Sequence, residues 1–81
     1  MRQLKYITKW YIKNMRTALK VGKNLKDARR AKGLTQKEVA SKMNMTQQQY
    51  SRFENGVFEL NYDQIIFLCE LYDIEPNDLF A

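Results

Sequence analysis

Two helix starts eleven residues apart, Thr35 and Thr46, constrain this 81-residue chain more than any other feature. Glu38 follows Thr35 by three residues, so the threonine hydroxyl can accept the Glu38 amide while the glutamate reaches back, a reciprocal arrangement that opens helices. Asn44 falls where the chain must then turn sharply, and asparagine is one of the few non-glycine residues that tolerate a left-handed backbone. Thr46 opens the next helix, expected over about residues 47–54, and Asn55-Gly56 closes it. Val39, Ala40 and Met43 form the inner face of the first helix, and Tyr50 and Phe53, three apart, that of the second. The expectation is two short helices meeting at a tight turn.

The flanking segments read as helices too. Residues 2–20 contain no Gly or Pro, and their charges fall at Arg2, Lys5, Lys9, Lys13, Arg16 and Lys20, which traces one helix face. Leu4, Ile7, Tyr11, Met15 and Ala18 repeat with the same period on the opposite face. The β-favouring run Tyr6–Ile12 competes as a strand, but opposed stripes over five turns decide for an amphipathic helix. A break or kink is expected at Val21-Gly22, because glycine disfavours a helix interior by about 1 kcal/mol relative to alanine. A second helix follows at about 23–32, with Leu25 and Ala28 inward, and Gly33 ends it as a left-handed cap. Asn61 caps a helix at 62–72 whose core candidates are Ile65, Ile66, Leu68, Cys69 and Tyr72. Pro76 starts a last short turn ending in Leu79 and Phe80. The chain is thus expected to be all-α, with a basic amphipathic arm at 1–20 and a helical domain at 21–81.

Composition narrows the function classes. There is no histidine and one cysteine, Cys69, so neither a zinc constellation nor a Ser-His or Cys-His nucleophile can be assembled, and no disulfide can close within the chain. With no Gly-rich phosphate loop either, no catalysis, metal or cofactor is expected, and Cys69 is read as a small core residue. Met43 and Met45 are read as gap-filling core. No stretch reaches the roughly 18 apolar residues of a membrane span, and the N-terminus lacks the apolar run of a signal peptide, so a cytoplasmic protein is expected. The net charge of +5 conceals an asymmetry. Residues 1–32 hold eleven Lys/Arg against Asp27 alone, a net +10, whereas residues 33–81 hold Lys37, Lys42 and Arg52 against eight acids, a net −5. Such polarity suits a polyanion approached from one side, either nucleic acid or an anionic membrane surface.

The second short helix has the chemistry to choose between these. Glutamine offers an amide donor and acceptor together, so it can bond adenine through N6 and N7, and side chains at the start of a helix inserted into the major groove reach deepest. Gln47 and Gln48 are therefore the first candidates for base contacts, with Ser51 on the same exposed side and Gln49 turned towards solvent. Arg52, one turn later, suits guanine or a phosphate.

Residues 35–56, with Gly33-Leu34-Thr35-Gln36 before and Ser51-Arg52-Phe53-Glu54-Asn55-Gly56 at the end, resemble the helix-turn-helix of the lambdoid phage repressor and Cro family, called XRE-type in bacteria. The glutamine run after Thr46 is similar to the recognition helix of one lambdoid branch. The resemblance covers about 22–80, places the helix-turn-helix at 36–55 and leaves the first 20 residues outside. It implies a five-helix repressor-like domain that binds double-stranded DNA, with phosphate contacts from Gln36 and Asn55 and structural pairing of Arg29 with Glu54. Thr35, Thr46 and Lys23 are added as phosphate candidates. A small residue is needed where the two helices cross, and Ala40 fills that place. Two departures stand out: Asn44 where relatives carry glycine, and Val57-Phe58-Glu59-Leu60 where relatives often supply a cation to phosphate. That contact is either absent here or replaced from the basic N-terminal segment.

The expectation is a sequence-specific transcriptional regulator, a repressor bound as a dimer to a palindromic operator. The rivals are an antitoxin-like autoregulator that also holds a protein partner, and a protein that uses the bundle as a scaffold at a membrane surface or a protein interface. The apolar stripe of residues 4–18 is open between packing on the domain, a dimer contact and, third, a membrane surface.

Overall fold

The computed structural model describes the backbone of residues 2–81 and the side chains of residues 15–81. Five helices follow one another: α1 Arg2–Ala31, α2 Gln36–Lys42, α3 Gln47–Glu54, α4 Tyr62–Tyr72 and α5 Pro76–Phe80. No strand occurs among the described residues. A 30-residue helix spans about 45 Å, so α1 accounts for the longest dimension of the molecule, 48 Å.

The expected break at Val21-Gly22 does not occur, and α1 runs through both residues. The reason lies elsewhere in the chain. A Cβ on Gly22 would stand 2.4 Å from the Glu54 carbonyl oxygen and 2.7 Å from that of Phe53. The glycine is there for a close crossing of α1 with the end of α3, and its weak helix propensity is overridden by helical residues on both sides. One turn earlier, Leu19 lies against Gly56, where an added Cβ would come within 2.9 Å of the leucine side chain.

Leu25 of α1, Val39 and Ala40 of α2, Tyr50 and Phe53 of α3, Leu68, Cys69 and Tyr72 of α4 and Leu79 of α5 form one core. Met43 and Met45 pack against it, half-buried, at the α2–α3 turn. Burial pushes the Cys69 thiol up from its ordinary value. The Asn24 amide donates to the Leu79 carbonyl at 2.9 Å and ties α5 to α1.

Ile66, expected in the core, is 54% exposed. Positions 65–68 of α4 are all apolar, so the pattern does not single out one face, and packing selects Leu68, Cys69 and Tyr72 with Ile65 at the margin. Of the N-terminal apolar stripe, Met15 is exposed and Ala18 half-buried; Leu4, Ile7 and Tyr11 lie outside the described side chains.

Candidate nucleic-acid interface

Thr35 and Thr46 each begin a helix with a reciprocal cap. The Thr35 hydroxyl accepts the Glu38 amide at 3.1 Å, and Glu38 Oε1 accepts the Thr35 amide at 3.3 Å. The Thr46 hydroxyl accepts the Gln49 amide at 3.1 Å while Gln49 Oε1 accepts the Thr46 amide at 2.8 Å. Gln49, expected to face solvent, is exposed but has its carbonyl committed to this cap. Between the helices Asn44 takes the left-handed conformation at φ 56°, and the Met45 amide donates back to the Ala40 carbonyl at 3.0 Å. This turn sets α3 across α2.

Tyr50 and Phe53 fix the buried side of α3, and Gln47 and Gln48 stand exposed at its start. No hydrogen bond from the described residues engages either side-chain amide, so both keep two donors and an acceptor for an incoming edge. With the Gln49 amide taken by the Thr46 hydroxyl, the Gln47 and Gln48 amides remain without an intrahelical acceptor, which favours an anion at this end.

Behind the exposed face lies a buried polar cluster. Arg29 Nε donates to Glu54 Oε2 at 2.7 Å and Nη2 to Oε1 at 3.1 Å, a two-pronged pair with both residues buried. Arg29 Nη1 donates to the Leu34 carbonyl at 2.8 Å. Gln36 Nε2 adds a third donor to Glu54 at 3.0 Å, and the Tyr50 and Tyr72 hydroxyls bond each other beside it. Burial alone would push the Glu54 carboxyl up, but hydrogen bonds from Arg29, Tyr50 and Gln36 outweigh it and hold it below the usual carboxylate value. Burial drives the Tyr50 phenol upward and takes that of Tyr72 up to about 12. No buried side-chain polar atom among the described residues lacks a partner.

The other candidate residues are placed unequally. Asn55, Lys23, Thr35 and Thr46 are exposed. The Thr35 hydroxyl donates to Glu38 Oε1 at 3.0 Å. The Ser51 hydroxyl donates to the Gln48 carbonyl at 2.9 Å, so a base contact from Ser51 would have to use the oxygen as acceptor or exchange that bond. One amide hydrogen of Gln36 is held by Glu54, leaving the second available. Arg52 lies with its guanidinium carbon 5.4 Å from the centre of the Phe58 ring. Tyr50 and Tyr72, expected as inward-facing residues, are buried, but their hydroxyl bond and the contact of Phe58 with Arg52 are not announced by the sequence; the four-residue spacing of Tyr50 and Glu54 on one helix face was the available signal for the place of Tyr50 beside the carboxylate.

Comparison with known proteins agrees with this fold. The profile described as "Helix-turn-helix domain" matches residues 22–81. The chain belongs to the XRE-type helix-turn-helix family. Within this family it is 34% identical over 63 residues to the HTH-type transcriptional regulator ImmR of Bacillus subtilis, covering 78% of this chain and 50% of ImmR. It is 30% identical over 59 residues to the antitoxin PezA of Streptococcus pneumoniae, covering 73% of this chain and 37% of PezA. The chain therefore spans about half or less of these two relatives. Among solved structures, the restriction-modification controller protein C.AhdI of Aeromonas hydrophila superposes with a TM-score of 0.71 at 30% identity, covering 82% of this chain and 96% of that one. The family match begins at Gly22, inside the continuous helix α1. No helix among the described residues is long and apolar enough to cross a membrane.

Proposed function

We propose that this chain is a cytoplasmic, sequence-specific double-stranded DNA-binding regulator, a repressor acting as a dimer on a palindromic operator. The observation that carries the proposal is the pair Gln47 and Gln48, exposed and unengaged at the start of a helix that a buried ion pair and two tyrosines hold from behind. Gln47 and Gln48 read base edges, Arg52 reads a guanine or grips a phosphate, and Thr46, Asn55, Thr35 and the second amide hydrogen of Gln36 set the orientation on the backbone. Ser51 adds at most an acceptor. Two copies on a palindrome would place the α3 helices one DNA turn, roughly 34 Å, apart. The 22 residues from Thr35 to Gly56 carry only three cations, so most of the electrostatic attraction comes from residues 1–32, Lys23 included.

Selection of bound sites from a random DNA library tests this directly. A palindromic consensus is expected, and Gln47→Ala or Gln48→Ala should each weaken that site by ~1–3 kcal/mol while leaving nonspecific binding nearly intact. Equal loss on random DNA would remove both from base reading.

A second reading, an antitoxin-like regulator that also holds a protein partner, is favoured by the likeness to PezA and by Tyr62, Ile66 and Phe67 exposed together on α4. Co-purification of a stoichiometric second protein from the native host would support it.

A further inference from the structure

Phe58 sits in the loop that follows α3 and is 46% exposed. An exposed phenylalanine beside a DNA-reading helix needs a reason. Its ring meets that of buried Phe53 edge-on, with centroids 6.3 Å apart and planes at 63°. Its other partner is Arg52. The backbone closes the same loop: the Val57 amide donates to the Arg52 carbonyl at 2.9 Å and the Phe58 amide to the same oxygen at 3.4 Å. Arg52 thus receives the chain of the loop at its carbonyl and the ring of the loop at its guanidinium.

Among the described residues no carboxylate pairs with Arg52. This matters because a salt bridge would occupy the N–H donors that recognition needs, whereas an aromatic face attracts the cation without using any of them. A free arginine side chain loses rotamer entropy whenever it docks on a base. Phe58 limits that freedom before DNA arrives and leaves the planar fork available for a bidentate contact with guanine O6 and N7.

We infer that Phe58 is a positioning residue for base recognition: it holds the Arg52 guanidinium against its ring with the donors free, and so sharpens discrimination at the base pair Arg52 reads. The inference rests on Arg52 being a base reader. The ring also walls a cleft with Ala18, Val21, Leu60 and Ile65, so a purely structural role is the alternative to be separated.

The experiment measures binding of the purified protein to a duplex carrying its library-selected site and to duplexes with single base-pair changes across the half-site. Arg52→Ala should flatten discrimination at one base pair. Phe58→Leu, which keeps an apolar wall, should lower discrimination at that same pair by about two- to five-fold, the strength of an exposed cation–aromatic contact. Phe58→Trp should retain or exceed the original ratio. Unfolding midpoints of all variants check the fold. Uniform weakening at every position by Phe58→Leu, or no change in discrimination, overturns the inference while leaving Arg52 as a reader. Unaltered discrimination in Arg52→Ala overturns the role of Arg52 itself, and the inference with it.

Discussion

Gly22 of α1 passes so close to the end of α3 that a Cβ there would lie 2.4 Å from the carbonyl oxygen of Glu54. The same glutamate receives Arg29 from two turns further along α1. One helix therefore sets both the distance and the angle of α3, by a missing side chain at one point and a charged one at another.

Gly22→Ala should destabilise the domain despite the better helix propensity of alanine. Alanine gains about 1 kcal/mol in an exposed helix interior, but crowding against backbone that cannot rotate away costs about 1–3 kcal/mol or more. Urea unfolding should report a lower midpoint with an unchanged slope, and DNA affinity should fall as α3 is displaced. A stabilised variant would mean that α1 and α3 do not cross at this point.

Glu54→Gln should lower stability at neutral pH by about 3–5 kcal/mol, because it leaves Arg29 buried without its counter-charge. It should also change the acid limb. The Glu54 carboxyl is held below its ordinary value of 4.5, so its contribution is fully present above that pH and lost as pH falls through the folded-state value. Unfolding free energies measured from about pH 3 to pH 7 should show a shallower acid loss in the glutamine variant. Parallel curves would show that Glu54 does not carry the acid sensitivity.

The alkaline limb belongs to the tyrosines. Burial raises the Tyr72 phenol from 10.0 to about 12, and Tyr50 moves the same way. The unfolded chain ionises near 10, so stability is fully present below that pH and declines as pH rises towards 12. Tyr72→Phe should make that decline shallower, at a loss of about 1 kcal/mol near neutrality for the broken hydroxyl bond. Circular dichroism followed against pH, with phenolate absorbance alongside, checks both. An identical alkaline midpoint in the variant would assign the limb to other groups.

Helix ends were legible in the sequence because capping is local. Thr35 with Glu38, Thr46, Asn61, Gly33 and Asn44 each declare their role within three or four residues, and Gly33 and Asn44 do take positive φ, as does Asp73, which nothing nearby announced. Gly22 misled because the reason for it stands on α3, far along the chain, and the same letter marks both a helix break and a close crossing. Ile66 misled because four consecutive apolar positions carry no period. In the candidate site, Gln47 and Gln48 could be chosen from chemistry and position alone. That Gln36 bonds Glu54, Ser51 bonds the Gln48 carbonyl and Phe58 meets Arg52 are facts of packing that single side chains do not encode.

The continuity of α1 bears on where DNA affinity resides. Arg16, Lys20 and Lys23 are exposed on a helix that α3 grips through Gly22, so their positions relative to α3 are fixed rather than set by a hinge. If this face lies along the backbone, each lost phosphate contact should reduce the slope of log affinity against log salt by about 0.9. Arg16→Ala and Lys20→Ala should then weaken selected and random duplexes alike, with the double variant losing about twice the slope of either single one. Gln47→Ala should do the reverse, changing the preference among sequences while keeping the slope. A salt slope unchanged in the double variant would take α1 off the DNA and return the search for affinity to α2, α3 and the turn between them.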